Sequence, residues 1–291
     1  QQDKMASNFD ILSPSKIDTS KLTFVVGMAK SNRNPPINWK FEGKNIQVRL
    51  PAKIKIPGGI WVRTDEKTGV SSYTMSVPLD GCDKFGKERS TDGSETGALY
   101  NFLLDLEDTV IQQAFDNSTK WFGKKRSLEA LRDSFSKIVS VSTDTVNGEK
   151  VPNGKYSPSF RVKIPVYDGS VKSDIADGSG NPIYATPESI VSVFPKGVSA
   201  SLVISGSIYT MSGGGFGVSW KLTFARVYPQ SRVTAKDVFK DEVPDEEEAA
   251  ELQDAPVEED APVQVQEEVR DEPPAEEKPV SRRKKAVGAS A

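Results

Sequence analysis

Three aromatic rings and seven cations carry the chemistry open to this chain. Trp39, Trp61 and Tyr209 offer flat faces on which unpaired bases could stack. Arg49, Lys53, Lys55, Arg63, Arg161, Lys163 and Lys221 offer charge for a phosphate backbone. Cations spaced along an extended surface, with rings between them, are what sequence-tolerant binding of a single strand requires. The spacing is informative because it alternates. Arg49, Lys53 and Lys55 share one parity with Gln47, and Arg161 and Lys163 repeat the pattern. Each such face has a second reading, since cations on exposed strands are often only solvated. Each ring likewise has two fates, base stacking or core. Trp39 follows Asn-Pro-Pro-Ile in a loop-like stretch, Trp61 shares parity with Arg63, and Tyr209 opposes Leu202, Ile204 and Ile208. Trp220 shares parity with Phe216, Val218, Leu222 and Phe224, which assigns it to the core.

Catalysis finds little support. With no histidine, the sequence lacks the commonest general base and metal ligand. Cys82 is the one cysteine, so thiolate zinc sites and intrachain disulfides are excluded. Gly213–Gly215 continues as Phe216-Gly217, a hairpin tip rather than a phosphate loop opening a helix. Asp105 and Asp108 fall on a solvent-facing helix surface. The expectation is a protein that is not an enzyme, with no metal and no cofactor.

The elements that must position these residues are mostly strands. Ile46, Val48, Leu50, Ile54 and Ile56 alternate against the cationic parity, with Pro51 marking an edge or bulge. Tyr73, Met75, Val77 and Leu79 alternate again, as do Phe160, Val162 and Ile164. Residues 198–209 and 216–228 predict a hairpin around Ser212-Gly213-Gly214-Gly215. A helix is predicted over 96–118, with Leu99, Leu103, Leu106 and Val110 on one stripe. A second is predicted after Ser127, burying Leu128, Leu131, Phe135 and Ile138, with Lys124-Lys125-Arg126 between the two. The fold expected is mainly β, an OB-like barrel with a helical insertion, although strand count alone also permits a β-sandwich. No stretch approaches ~20 apolar residues, so no membrane partner is expected, and an intracellular setting is.

Charge divides the chain further. Residues 1–240 hold 32 Lys+Arg and 24 Asp+Glu, whereas residues 241–279 hold 2 and 17. Arg282, Arg283, Lys284 and Lys285 follow as a basic patch resembling a short nuclear-localisation signal. Pro, Glu, Asp and Ala dominate beyond Lys240, too apolar-poor to offset ordering entropy. The expected organisation is an N-terminal arm (1–20), a nucleic-acid-binding domain (21–240, helices near 96–138) and a disordered acidic tail (241–291). A tethered segment of net charge −15 would compete with nucleic acid for the basic surface.

Three segments together are familiar: Tyr156-Ser-Pro-Ser-Phe-Arg-Val-Lys-Ile-Pro165, Trp121-Phe-Gly-Lys-Lys-Arg-Ser-Leu-Glu129 and Gly214-Gly-Phe-Gly-Val-Ser-Trp-Lys-Leu222. They resemble the phage-type single-stranded DNA-binding proteins encoded by nucleocytoplasmic large DNA viruses, over roughly residues 20–230. The resemblance implies an OB fold, sequence-tolerant binding of single-stranded DNA, and a role in viral DNA replication, recombination or repair. It also implies an acidic tail that contacts DNA polymerase or other replication proteins, at viral replication sites in nucleus or cytoplasm. Arg161, Lys163 and the Trp220-Lys221 pair fall inside the matching motifs. The phage relatives close their acidic tail with an aromatic residue. Here a basic patch and Gly-Ala-Ser-Ala follow, which leaves tail-tip docking without its residue. The oligomeric state, a dimer included, stays open. Two other readings stand beside this one: a structural or packaging protein of a large DNA virus particle, and an acidic-tailed chaperone of basic proteins.

Overall fold

Period-2 alternation governs most of the folded chain in the computed structural model, which describes residues 9–28 and 34–228. In chain order the first strands are β1 (Phe9–Leu12), β2 (Leu22–Val26), β3 (Ile37–Phe41), β4 (Lys44–Arg49), β5 (Ile54–Ile56), β6 (Ile60–Thr64) and β7 (Ser71–Pro78). Helices α1 (Glu95–Asp116), α2 (Ser118–Phe122) and α3 (Leu128–Ser134) follow. Then come β8 (Phe135–Ser136), β9 (Thr143–Val146), β10 (Glu149–Pro152), β11 (Ser159–Ile164), β12 (Val166–Tyr167), β13 (Ser170–Val171) and β14 (Asp174–Asp177). A short helix α4 (Ile190–Val193) leads into β15 (Val198–Thr210) and β16 (Phe216–Tyr228). The chain divides into units 1–232 and 233–291; the acidic run and the basic patch lie outside the described residues.

The strand pairings close a ring. The run β4–β5–β6 lies antiparallel to β15 through β4 and β5, and its end, β6, pairs with β7. β7 pairs with β11, β11 runs parallel to β16, and β16 returns to β15 as a long antiparallel hairpin. A ring in this order, with one parallel step and helices inserted before its third strand, is an OB-like barrel and not a sandwich. The architecture is mainly β. Residues 9–20 of the expected arm (1–20) add β1, parallel to β4, a 3-10 turn at Pro14–Lys16, and most of a second at Thr19–Lys21 that ends one residue beyond the arm.

Parity sets the core. Val48, Ile56, Met75, Val77, Phe160, Val162, Leu202, Ile204 and Leu222 face inward and are buried. Helix α1 is capped by Ser94, whose hydroxyl accepts from Gly97 N–H at 2.8 Å. It buries Leu99, Leu103, Leu106 and Val110 completely, the stripe expected from the sequence. The second predicted helix is shorter than its apolar spacing suggested. Ser134 turns its hydroxyl back onto the Ala130 carbonyl at 2.7 Å, and α3 stops there. Phe135 enters β8 beside β16, its ring 5.1 Å from that of Phe216. Phe135 and Ile138 are therefore buried from strand and loop, not from a helix.

Candidate nucleic-acid interface

Barrel register brings part of the expected set into one row. Trp61 on β6 pairs with Thr74 on β7, Thr74 with Lys163 on β11, Lys163 with Lys221 on β16, and Lys221 with Ser205 on β15. All five share the outward parity, opposite Met75, Val162 and Trp220. One row away stand Arg63, paired with Ser72, and Arg161, paired with Ser76. The outer surface of β6, β7, β11 and β16 thus carries Trp61 and four cations, separated by small hydroxyl residues that leave the surface low. In OB barrels the face of the second and third strands, here β7 and β11, is the oligonucleotide-binding one.

Trp61 is 63 % exposed, and its posture is set by a glycine. A Cβ at Gly58 would lie 2.8 Å from the indole Nε1, so a larger residue there would displace the ring from its rest against that turn. The result is an aromatic face that rests against the turn and is open to water.

A further ring, which alternation alone does not pick out, joins the row. The two-residue turn Asp168-Gly169, both at positive φ, folds β12 onto β13 and carries Tyr167 over β16. Lys221 Nζ donates to the Tyr167 hydroxyl at 2.9 Å and stands 5.6 Å from the ring centroid. Tyr167 remains 50 % exposed. Its signal in the sequence is an Asp-Gly turn just beyond a strand that carries alternating cations.

Other expected residues lie elsewhere. Trp39 is a correction. Residues 37–41 form strand β3 and not a loop, with Ile37 and Trp39 on the inward parity. Trp39 is 3 % exposed, its ring 5.6 Å from that of Trp220 at 65°. It reaches there because β15 carries Gly206, whose Cβ would meet Trp39 Cζ2 and stand 2.8 Å from Trp220 Cζ3. A buried indole cannot stack on a base. Tyr209 has the outward parity but is half-buried, its hydroxyl lying over Gly217.

Arg49, Lys53 and Lys55 are exposed and form a separate group at the far end of β15. Lys55 pairs with Ser199, and Arg49 with Val203. Lys53 Nζ sits 5.0 Å over the Tyr228 ring. Arg49, Arg226 and Tyr228 line a cleft of about 680 Å³ that also holds Glu95 and Asp174. The Ser201 hydroxyl, together with Arg226 and Lys53, holds the Tyr228 phenol below its ordinary range. Gln47, expected on the exposed cationic face, is 8 % exposed with its Oε1 unpartnered.

Nucleophilic chemistry has no foothold at Cys82. Burial, with Asp92 and Asp80 nearby, pushes its thiol up to about 11, so it is protonated at neutral pH. Among the described residues, no three His, Cys, Asp or Glu side chains converge to hold a metal ion.

No protein-family model matches the sequence, and no curated protein matches it. Two solved structures are similar to the chain at low scores. One is gp2.5, a single-stranded DNA binding protein encoded by bacteriophage T7: 13 % identical, 69 % of this chain and 96 % of that one, TM-score 0.36. The other is the single-stranded DNA-binding protein from bacteriophage Enc34, C-terminally truncated: 11 % identical, 72 % and 97 % covered, TM-score 0.34. The barrel assignment rests on the strand order above and not on these scores.

Proposed function

We propose that this protein binds single-stranded DNA without sequence preference and without catalysis, using the outer face of β6, β7, β11 and β16. The observation that carries the reading is the row Trp61–Thr74–Lys163–Lys221, in which two lysines on adjacent strands stand across one intervening strand from an exposed indole. Bases stack on Trp61 and Tyr167, while Arg63, Arg161, Lys163 and Lys221 neutralise phosphates. Bases meet no other indole, because Trp39, Trp121 and Trp220 are buried. The setting consistent with the sequence resemblance is replication, recombination or repair of a large viral genome, inside the infected cell. The acidic tail competes with DNA for this face and, when displaced, is free to engage replication proteins such as a polymerase.

Tryptophan fluorescence tests the reading directly, since three of the four indoles are shielded. Titration with oligo-dT of about 30 nucleotides quenches the signal at far lower concentration than matched duplex does, and Trp61→Phe abolishes most of the quench. Equal response to duplex and single strand would reduce the face to a generic basic surface. Removal of residues 241–291 tightens binding at low salt; unchanged affinity would dismiss competition by the tail.

A further inference from the structure

Two of the three familiar sequence segments meet in space, away from the row. Residues 121–126 follow through α2 into a turn beside the tip of the β15–β16 hairpin, residues 211–215. Arg126 joins them. Its guanidinium donates to the Gly214 carbonyl and, at 3.0 Å, to Ser134 Oγ, and its Cζ stands 5.1 Å from the Phe122 ring centroid. Gly214 sits at φ +88°, and a Cβ there would press on that guanidinium at 3.4 Å.

The junction encloses a cavity of about 420 Å³. Lys120, Lys124 and Arg126 line it, with Asn34, Thr210 and the hairpin tip, and among the described residues no Asp or Glu does. The cleft near Tyr228 differs, because its two arginines are matched by Glu95 and Asp174. None of the ion pairs formed among the described residues involves Lys120, Lys124 or Arg126. A lysine near the end of a helix is ordinarily explained by the helix dipole. That account covers Lys120 on the five-residue α2, but not three cations converging on one cavity whose described lining holds no carboxylate. Arg126 is committed to holding the tip, while Lys120 and Lys124 are exposed.

We infer that this pocket is a second phosphate-binding station for the same single strand, an inference that rests on the proposed function. Lys221 faces outward on β16, whereas Phe216, five residues earlier on the same strand, faces inward against the Phe122 ring at 5.2 Å. The row and the pocket therefore flank opposite sides of the hairpin. Its tip carries only Met211, Ser212 and glycines, a low ridge for a strand to cross. From Lys221 to Gly214 is about 23 Å along the strand. That lies within reach of a ligand of several nucleotides, given site sizes of about 4–16 nucleotides per OB barrel.

The test compares two oligo-dT lengths, about six and about 30 nucleotides, across a salt series with the full chain. The double variant Lys120→Gln/Lys124→Gln binds the long oligonucleotide with a log–log salt slope shallower by about 1.4, since each phosphate left unneutralised on a single strand takes about 0.7 from the slope. Its slope for the short oligonucleotide matches the parent, as does the long-oligonucleotide slope of the control Lys84→Gln/Lys87→Gln, a pair exposed elsewhere. An unchanged long-oligonucleotide slope in the pocket variant overturns the inference while leaving the Trp61 face intact. An equal loss in the control overturns it as well, by reducing the effect to net charge. A parent protein that binds neither length removes the face reading and this inference together.

Discussion

Trp61 and Trp39 are the same residue type on neighbouring stretches of chain, and their environments are opposite. Each is placed by a glycine. Gly58 lets the Trp61 indole lie back over a turn, outside the barrel and in a row with Lys163 and Lys221. Gly206 opens the inner wall of β15 so that the Trp39 ring enters and meets Trp220 edge-on. One indole is kept wet beside cations and the other dry beside aromatics. The ring's own chemistry does not decide between binding and core. Strand parity does, together with whether the opposing backbone lacks a Cβ.

The largest expected effect breaks the buried side. Trp39→Ala removes a ring from among Trp220 and Gly206 and should cost about 3–5 kcal/mol, read by urea unfolding. Gly206→Ala approaches the same place from the other wall. Its methyl group would overlap Trp39 and crowd Trp220, so a loss of about 1–3 kcal/mol is expected from overpacking. If Gly206→Ala unfolds at the parent's midpoint, the glycine does not gate the indole.

Trp61→Ala sharpens the exposed side. Its stability should stay within about 0.5 kcal/mol of the parent. Affinity for oligo-dT should fall by about 1–3 kcal/mol, measured by anisotropy so that the readout does not depend on the lost indole. The two alanine variants thus dissociate binding from stability in opposite directions. A Trp61→Ala protein that binds normally would leave the row as solvated surface.

Much of this contrast is legible in the sequence, and the part that is not has a physical cause. Alternation alone places the inward faces of β4, β7, β11 and β16, and hence the outward positions of Arg161, Lys163 and Lys221. Trp220 goes to the core for the same reason. Trp39 is misread because Asn-Pro-Pro suggests a loop, although β3 begins at once with Ile37 and fixes its parity. The grouping is hidden too. Arg49, Lys53 and Lys55 share a parity with Trp61 but sit at another end of the barrel, since β4–β5 pairs with β15 while β6 has moved to β7. Local pattern reports which face a residue occupies; only non-local pairing reports which neighbours it has.

Tyr167 tests whether the exposed row ends at Lys221 or continues onto the β12–β13 hairpin. Tyr167→Phe keeps the ring beside Lys221 and loses only the hydroxyl that accepts from it, at an exposed position. Tyr167→Ala loses both. Alanine should weaken oligo-dT binding by about 1 kcal/mol, with phenylalanine nearly silent. Equal losses in the two variants would assign the effect to the Lys221 hydrogen bond rather than to stacking.

The smallest expected effect belongs to the dry side and to pH. Glu107 on α1 is half-buried, and its Oε2 accepts from Ile138 N–H at 3.1 Å. Burial raises its pKa, with the Ile138 hydrogen bond and then Lys137 opposing. A carboxyl whose pKa is raised on folding binds its proton more tightly in the native state than in the unfolded chain. Its contribution is therefore most favourable below the unfolded value and is lost as pH climbs through the folded one, the reverse of an ordinary surface carboxylate. Glu107→Gln keeps an acceptor for Ile138 without the charge. It should raise the melting midpoint by about 2 °C at pH 7, a gain that shrinks as the pH falls and the carboxyl takes up its proton in the fold. Glu107 stands on α1, outside the face of β6, β7, β11 and β16, so oligo-dT affinity at pH 7 should be the parent's. A midpoint gain that persists at low pH would locate the benefit in packing rather than in the buried charge.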